Sequence, residues 1–100
     1  MTTEELLEDL KSYLNITWSE KDEDLKKIIL RGQAYLNEKA GVTLKYAGDG
    51  LEIQLLLDYC RYVYNHSFEL FESNFAGELL NLSLREGLKE HAETNTETTT

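Results

Sequence analysis

The chain has 100 residues, with no proline, six glycines, one cysteine and 19 acidic against 10 basic side chains, a formal net charge of −9. That length supports one small domain with one modest core and leaves little for a deep substrate cleft. An apolar content of 41 % excludes wholesale disorder, the missing prolines favour long helices over a turn-rich sheet, and the acidic balance excludes nucleic-acid binding through a basic stripe.

The lone Cys60 cannot form an intramolecular disulfide, so secretion is not expected and the sequons at Asn15, Asn65 and Asn81 carry no weight. MTTEELLEDL is acidic and amphipathic, unlike a signal peptide. No apolar run approaches the ~20 residues of a membrane span. A soluble protein made in a reducing compartment is the expectation.

A first helix is predicted over 3–14. Thr2 and Glu5 fit a capping box, and Leu6, Leu7, Leu10, Tyr13 and Leu14 form one apolar stripe. Residues 15–19 make a short connection in which Trp18 is expected to staple the loop to the core. The second helix is predicted over 19–41, with Gly41 as its left-handed cap. Glu20, Asp22, Glu23 and Asp24 crowd its start and read as charges that complement the helix dipole rather than as a metal site. Leu25, Ile28, Ile29, Gly32, Leu36 and Ala40 form its buried stripe, and Gly32 predicts a close helix crossing.

Residues 42–50 have β character followed by a turn, and predict a short strand or extended loop projecting from a helical body, with Asp49 capping the next helix. That third helix, over 51–66, is apolar almost all round. Gln54, Asp58, Arg61 and Asn65 share one narrow polar strip. Such a helix must be wrapped by other helices or by other subunits. Residues 67–75 read as an irregular helical turn. The last helix, over 75–91, carries Leu80, Leu84 and Leu88 on one stripe beside Gly77 and Gly87, with Leu79 and Leu82 opposite, so that one face serves its own core and the other a neighbour or a covering loop. From Glu93 the chain lacks apolar residues and is expected to be disordered.

The reading is an all-α bundle of about four helices over 1–92, with an extended loop between helices 2 and 3 and a flexible tail over 93–100. Chemistry is sparse. His66 and His91 end different helices, Cys60 faces apolar neighbours, and the carboxylates are expected on solvated faces. No zinc spacing is present. Neither catalysis, metal nor cofactor is expected.

The layout resembles the small head–tail connector proteins of tailed bacteriophages, also called adaptor or head-completion proteins. The match rests on LLEDLKSYLNI followed by DEDLKKIILRGQAYLNEKAG, on LLLDYCRYVYNHS, and on FESNFAGELLNLSLREGL, together spanning roughly residues 4–90. None of these is a catalytic fingerprint; pattern and order carry the likeness. The resemblance implies an α-helical virion protein that assembles as a ring, normally twelvefold, beneath the portal, extends the DNA channel and receives a neck or tail-completion protein. It further implies a C-terminal segment docking on the portal, here Glu93, Thr94, Asn95, Thr96, Glu97, Thr98, Thr99 and Thr100. On this reading the candidate subunit or partner contacts are Trp18, Tyr46, Phe71, Phe75, Leu79 and Leu82. Glu20, Asp22, Glu23 and Asp24 are candidates for an acidic channel wall that lets DNA pass without binding it. The alternative reading is a small acidic inhibitor, a DNA mimic or a blocker of a host protein, whose single apolar patch would be ringed by carboxylates.

Overall fold

Thr2 opens the first helix as its sequence predicts. Its hydroxyl accepts the Glu5 N–H at 3.2 Å while the Glu5 carboxylate accepts the Thr2 N–H at 3.1 Å, closing a capping box at the start of α1 (Thr3–Leu14). The computed structural model describes residues 2–46 and 50–98, with side chains through residue 88. α1 ends on Asn15 in the left-handed conformation (φ 59°). Ile16 then turns back, its N–H donating to the Lys11 carbonyl at 2.8 Å, and its side chain is buried. This is the apolar contact that accompanies a left-handed helix end. The loop is therefore stapled by Ile16, not by Trp18, which remains 47 % exposed.

α2 (Asp22–Ala40) begins three residues later than the sequence predicts, because Ser19, Glu20 and Lys21 form a turn rather than helix, and no side chain caps it. It ends at Gly41 with φ 77°, the predicted left-handed cap. Leu25, Ile29, Leu36 and Ala40 are buried, with Ile28 packed beside them. Gly32 lies where α2 crosses α3 (Leu51–Tyr64). A Cβ there would stand 2.7 Å from Leu56 Cδ1 and 2.8 Å from Tyr59 Cδ1, well inside contact distance. Gly32→Ala is expected to destabilise by roughly 1–2 kcal/mol: overpacking at ~1–3 kcal/mol outweighs the ~1 kcal/mol gained in helix propensity. A urea melt checks the sign.

The segment after Gly41 does not project. Val42, Leu44 and Tyr46 alternate toward the body, and Leu44 and Tyr46 are buried. Asn37 holds the loop: its Oδ1 accepts the Leu44 N–H at 3.0 Å and the Tyr46 hydroxyl at 2.9 Å. No strand forms among the described residues. Gly50 occupies the N-cap position of α3, and Asp49, the predicted cap, lies outside the described residues.

α3 is the central helix, with Ile53, Leu55, Leu56, Tyr59 and Cys60 buried. α1, α2 and the helices after it all pack on it. The wrapping that its composition demands is thus supplied within the chain, and the apolar girth of this helix is no evidence for subunits. His66, with φ 57°, lies beyond its end. A 3-10 turn (Phe68–Leu70) and one helical turn, α4 (Phe71–Asn74), replace the irregular stretch and fold over the bundle. They deliver Phe71 to the centre of an aromatic cluster, with ring centroids 5.0 Å from Phe75, 5.7 Å from Tyr59, 5.8 Å from Tyr62 and 6.0 Å from Tyr35. α5 (Ala76–Thr98) completes an all-helical fold with five α-helices among the described residues, close to the approximately four predicted. At 23 residues it is about 34 Å long. It runs through 93–98, beyond the boundary expected at residue 92; neither glycine nor proline follows Gly87 to stop it. Thr99 and Thr100 lie outside the described residues.

Candidate functional site

α5 carries two apolar faces, and packing decides which is which. Leu82 is fully buried, Phe75 and Leu79 pack half-buried against the core, and Arg85 reaches Glu52 of α3 at 2.9 Å and its neighbour Glu86 at 2.9 Å. The opposite face is left without a partner. Leu80, Leu84 and Leu88 are 59, 55 and 68 % exposed. At 100° per residue they share about 120° of arc with Gly77, Asn81 and Gly87. No charged side chain falls within that arc, and nothing lies within 4 Å of where a Cβ would sit on either glycine. A second helix can therefore approach this stripe closely.

Several residues predicted to meet a partner are instead interior. Tyr46, Phe71 and Leu82 are buried, and Leu79 and Phe75 rest against the core. Leu79 and Leu82 lie on the inner face because Phe75, one and two turns before them, is tied to Phe71 and Tyr62. Of the six, Trp18 alone is a large exposed side chain. Of the four clustered carboxylates, Asp22 pairs with Lys11 at 2.8 Å and Glu23 approaches Lys26 at 3.5 Å, while Glu20 and Asp24 are exposed. Side chains of Glu93 to Thr98 are outside the described residues.

A second surface was not foreseen. Between the first half of α2 and the end of α3 runs an open groove of about 500 Å³, floored by Leu25, Ile28, Val63 and Tyr64 and edged by Lys21, Lys27, Arg31 and His66, with Asp24 the one carboxylate. Lys11, Lys26, Lys39, Arg61 and Arg85 each have a carboxylate oxygen within 4 Å. Among the described residues Lys21, Lys27, Arg31 and Lys45 have none, though carboxylates outnumber cations almost two to one. Three of these four cations line this apolar groove. The sequence signal was the i, i+4 spacing of Lys27 and Arg31, hidden by the acidic run before them.

No family model, curated protein or solved structure matches this chain. Among the described residues no group of three or more His, Cys, Asp or Glu side chains is placed to hold a metal, and no helix is long and apolar enough to cross a membrane.

One carboxylate departs from the expected solvated faces. Asp58 is 4 % exposed. α1 lies against the polar strip of α3 at Asp58, where the Tyr13 hydroxyl donates to Asp58 Oδ1, Gln54 Nε2 donates to Oδ2 at 3.0 Å, and Arg61 stands 3.5 Å away; Gln54 and Asn65 on the same strip stay exposed. The cluster fastens α1 to α3. Cys60, beside it in sequence, faces the core, where burial pushes its thiol from 9.0 to about 12. Burial, followed by the hydrogen bond to Asp58, raises the Tyr13 phenol, and burial also raises Tyr35, Tyr46 and Tyr59. These groups ionise more readily in the unfolded chain than in the folded one. Their contribution to stability is therefore expected to be full well below pH 9 and to fall as pH rises from there toward 12, with Cys60 contributing at most about 1.4 kcal/mol per pH unit. Cys60→Ser should shallow the fall between pH 9 and 10; thermal melts across that range check it.

Proposed function

We propose that the chain is a structural component of the head–tail junction of a tailed bacteriophage, assembling as a ring beneath the portal, extending the DNA channel and receiving a neck or tail-completion protein. The observation that carries this reading is the unpartnered Leu80–Leu84–Leu88 stripe on a long closing helix whose other face is spent on the core. A terminal helix with one face for its own subunit and one for a neighbour is what repeated head-to-tail contacts need. The three sequence stretches that resemble connectors span these same elements. The net charge of −9 suits a channel wall that repels phosphate, with Glu20, Glu23 and Asp24 its candidates and Asp22 already paired with Lys11. The ring, twelvefold by analogy, forms in the host cytoplasm during assembly and ends in the virion. Glu93 to Thr100 is its portal-docking segment.

Co-sedimentation with portal-bearing, DNA-filled capsids tests the proposal, using the full chain and a chain ending at Ala92. Stoichiometric binding weakened by the truncation is the expected result. Binding indifferent to truncation would retain the connector and remove the docking role. Failure to bind capsids of the cognate phage would overturn the assignment in favour of an acidic inhibitor.

A further inference from the structure

Where α3 gives way to the 3-10 turn and α4, an open cavity of about 240 Å³ is lined by Arg61, Tyr62, Asn65, Ser67, Leu70 and Asn74. Arg61 is the charged residue among them, and its guanidinium is incompletely paired. Asp58 takes one N–H at 3.5 Å, longer than the usual range of such a bond. Nε is buried and has no hydrogen-bond partner among the described residues. A guanidinium carries more N–H donors than this arrangement uses. It also lies over the Tyr62 ring, 4.9 Å from the centroid, which steadies its plane. The Tyr62 hydroxyl accepts Asn74 Nδ2 at 3.0 Å, so its own proton is left to donate. We infer that this corner binds a small monocarboxylate, its oxygens on the Arg61 fork and the Tyr62 hydroxyl and its short carbon chain against Leu70.

Charge and shape select that ligand. A planar carboxylate matches the guanidinium fork with two parallel bonds. Among the described residues no second cation lines the cavity, and no carboxylate does. One guanidinium, already shared with Asp58, offsets one negative charge. A sulfate or phosphate dianion would bring a second into a protein of net charge −9. A bare inorganic ion would also leave Leu70, exposed at the cavity, without a contact that a short alkyl chain supplies. The ligand has few atoms and the site is open, so the affinity is expected to be weak, with Kd in the range of about 1–10 mM. The inference is independent of the connector reading, and capsid binding bears on neither its success nor its failure.

The test is a titration of the full chain with sodium propionate near neutral pH, with sodium chloride holding the ionic strength constant. Nuclear magnetic resonance follows the Arg61 Nε–H and the Asn74 side-chain amide. Both signals are expected to shift and saturate, and sodium sulfate to bind at least about fivefold more weakly. Arg61→Lys keeps the charge and loses the planar fork, and is expected to weaken binding at least about tenfold. Because Arg61 also contacts Asp58, a second variant leaves that contact in place. Asn74→Asp keeps the shape of an exposed side chain and adds a carboxylate to the cavity wall, and is expected to weaken binding by at least about tenfold with an unchanged circular dichroism spectrum. Shifts that never saturate, or sulfate binding as tightly as propionate, would overturn the inference. So would saturable binding that survives Asn74→Asp in a folded chain. Shifts centred on Lys21, Lys27 and Arg31 would overturn it as well, placing the anion among the cations of α2.

Discussion

Phe71→Ala is expected to cost about 3–5 kcal/mol, the usual range for emptying a fully buried phenylalanine site. For a domain of this size that corresponds to a fall in melting temperature of more than about 12 °C. The ring is fully buried and stands within 5.0–6.1 Å of five other aromatic rings: Phe75, Tyr59, Tyr62, Tyr35 and Phe68. These neighbours come from α2, α3, the 3-10 turn and the turn before α5. They cannot collapse together into the void, because they are anchored on four different elements. Edge-to-face pairs, which dominate the cluster, add about 0.5–1.5 kcal/mol each beyond area burial. Against a total stability of ~5–15 kcal/mol the variant should be marginal at 37 °C. Phe71→Leu retains most of the volume and should lose less than half as much. A guanidinium melt that found Phe71→Ala within 1 kcal/mol of wild type would show that α4 does not close the core.

The second large effect falls on Asp58. Asp58→Ala is expected to cost about 2–4 kcal/mol, because the donors of Tyr13, Gln54 and Arg61 lose a charged acceptor that is itself buried. Arg61 Nε is already buried without a hydrogen-bond partner among the described residues, so the guanidinium has little to fall back on. The cost sits below that of a deeply buried pair because Tyr13 and Arg61 keep some exposure. Tyr13→Phe should lose only about 1 kcal/mol, since it removes one neutral donor and leaves Gln54 and Arg61 on the carboxylate. The double-mutant cycle isolates the bond between α1 and α3. Additive losses would mean that the Tyr13 hydroxyl contributes nothing through Asp58.

Local rules were read correctly where the information is local. The capping box at Thr2 and Glu5, the left-handed cap at Gly41, the crossing at Gly32 and the limits of α1 all depend on residues within one turn of each other, or on one side chain that is missing. The start of α2 was misplaced because the acidic run suits a helix N-terminus wherever within it the first turn begins. Trp18 and Ile16 are two residues apart in one loop, and hydrophobicity favours the larger. The backbone turn at Asn15 buries the smaller.

The sequence by itself determined that this chain is helical, acidic and built on one modest core, because helical periodicity, the absence of proline and charge balance are properties of the linear text. It also marked α5 as two-faced. The tertiary structure alone decided which face is free. Leu79 and Leu82 turn inward and Leu80, Leu84 and Leu88 outward because Phe75 and Arg85 fasten the helix at one rotation about its axis. Periodicity gives the angle between two stripes but not their orientation in space. Likewise, Asp58 on the polar strip of α3 became buried only when Tyr13 of α1 lay against it, and the cations of α2 came to edge a groove only when the end of α3 lay beside them. A residue's environment is set by what packs against it, and that partner lies elsewhere in the chain.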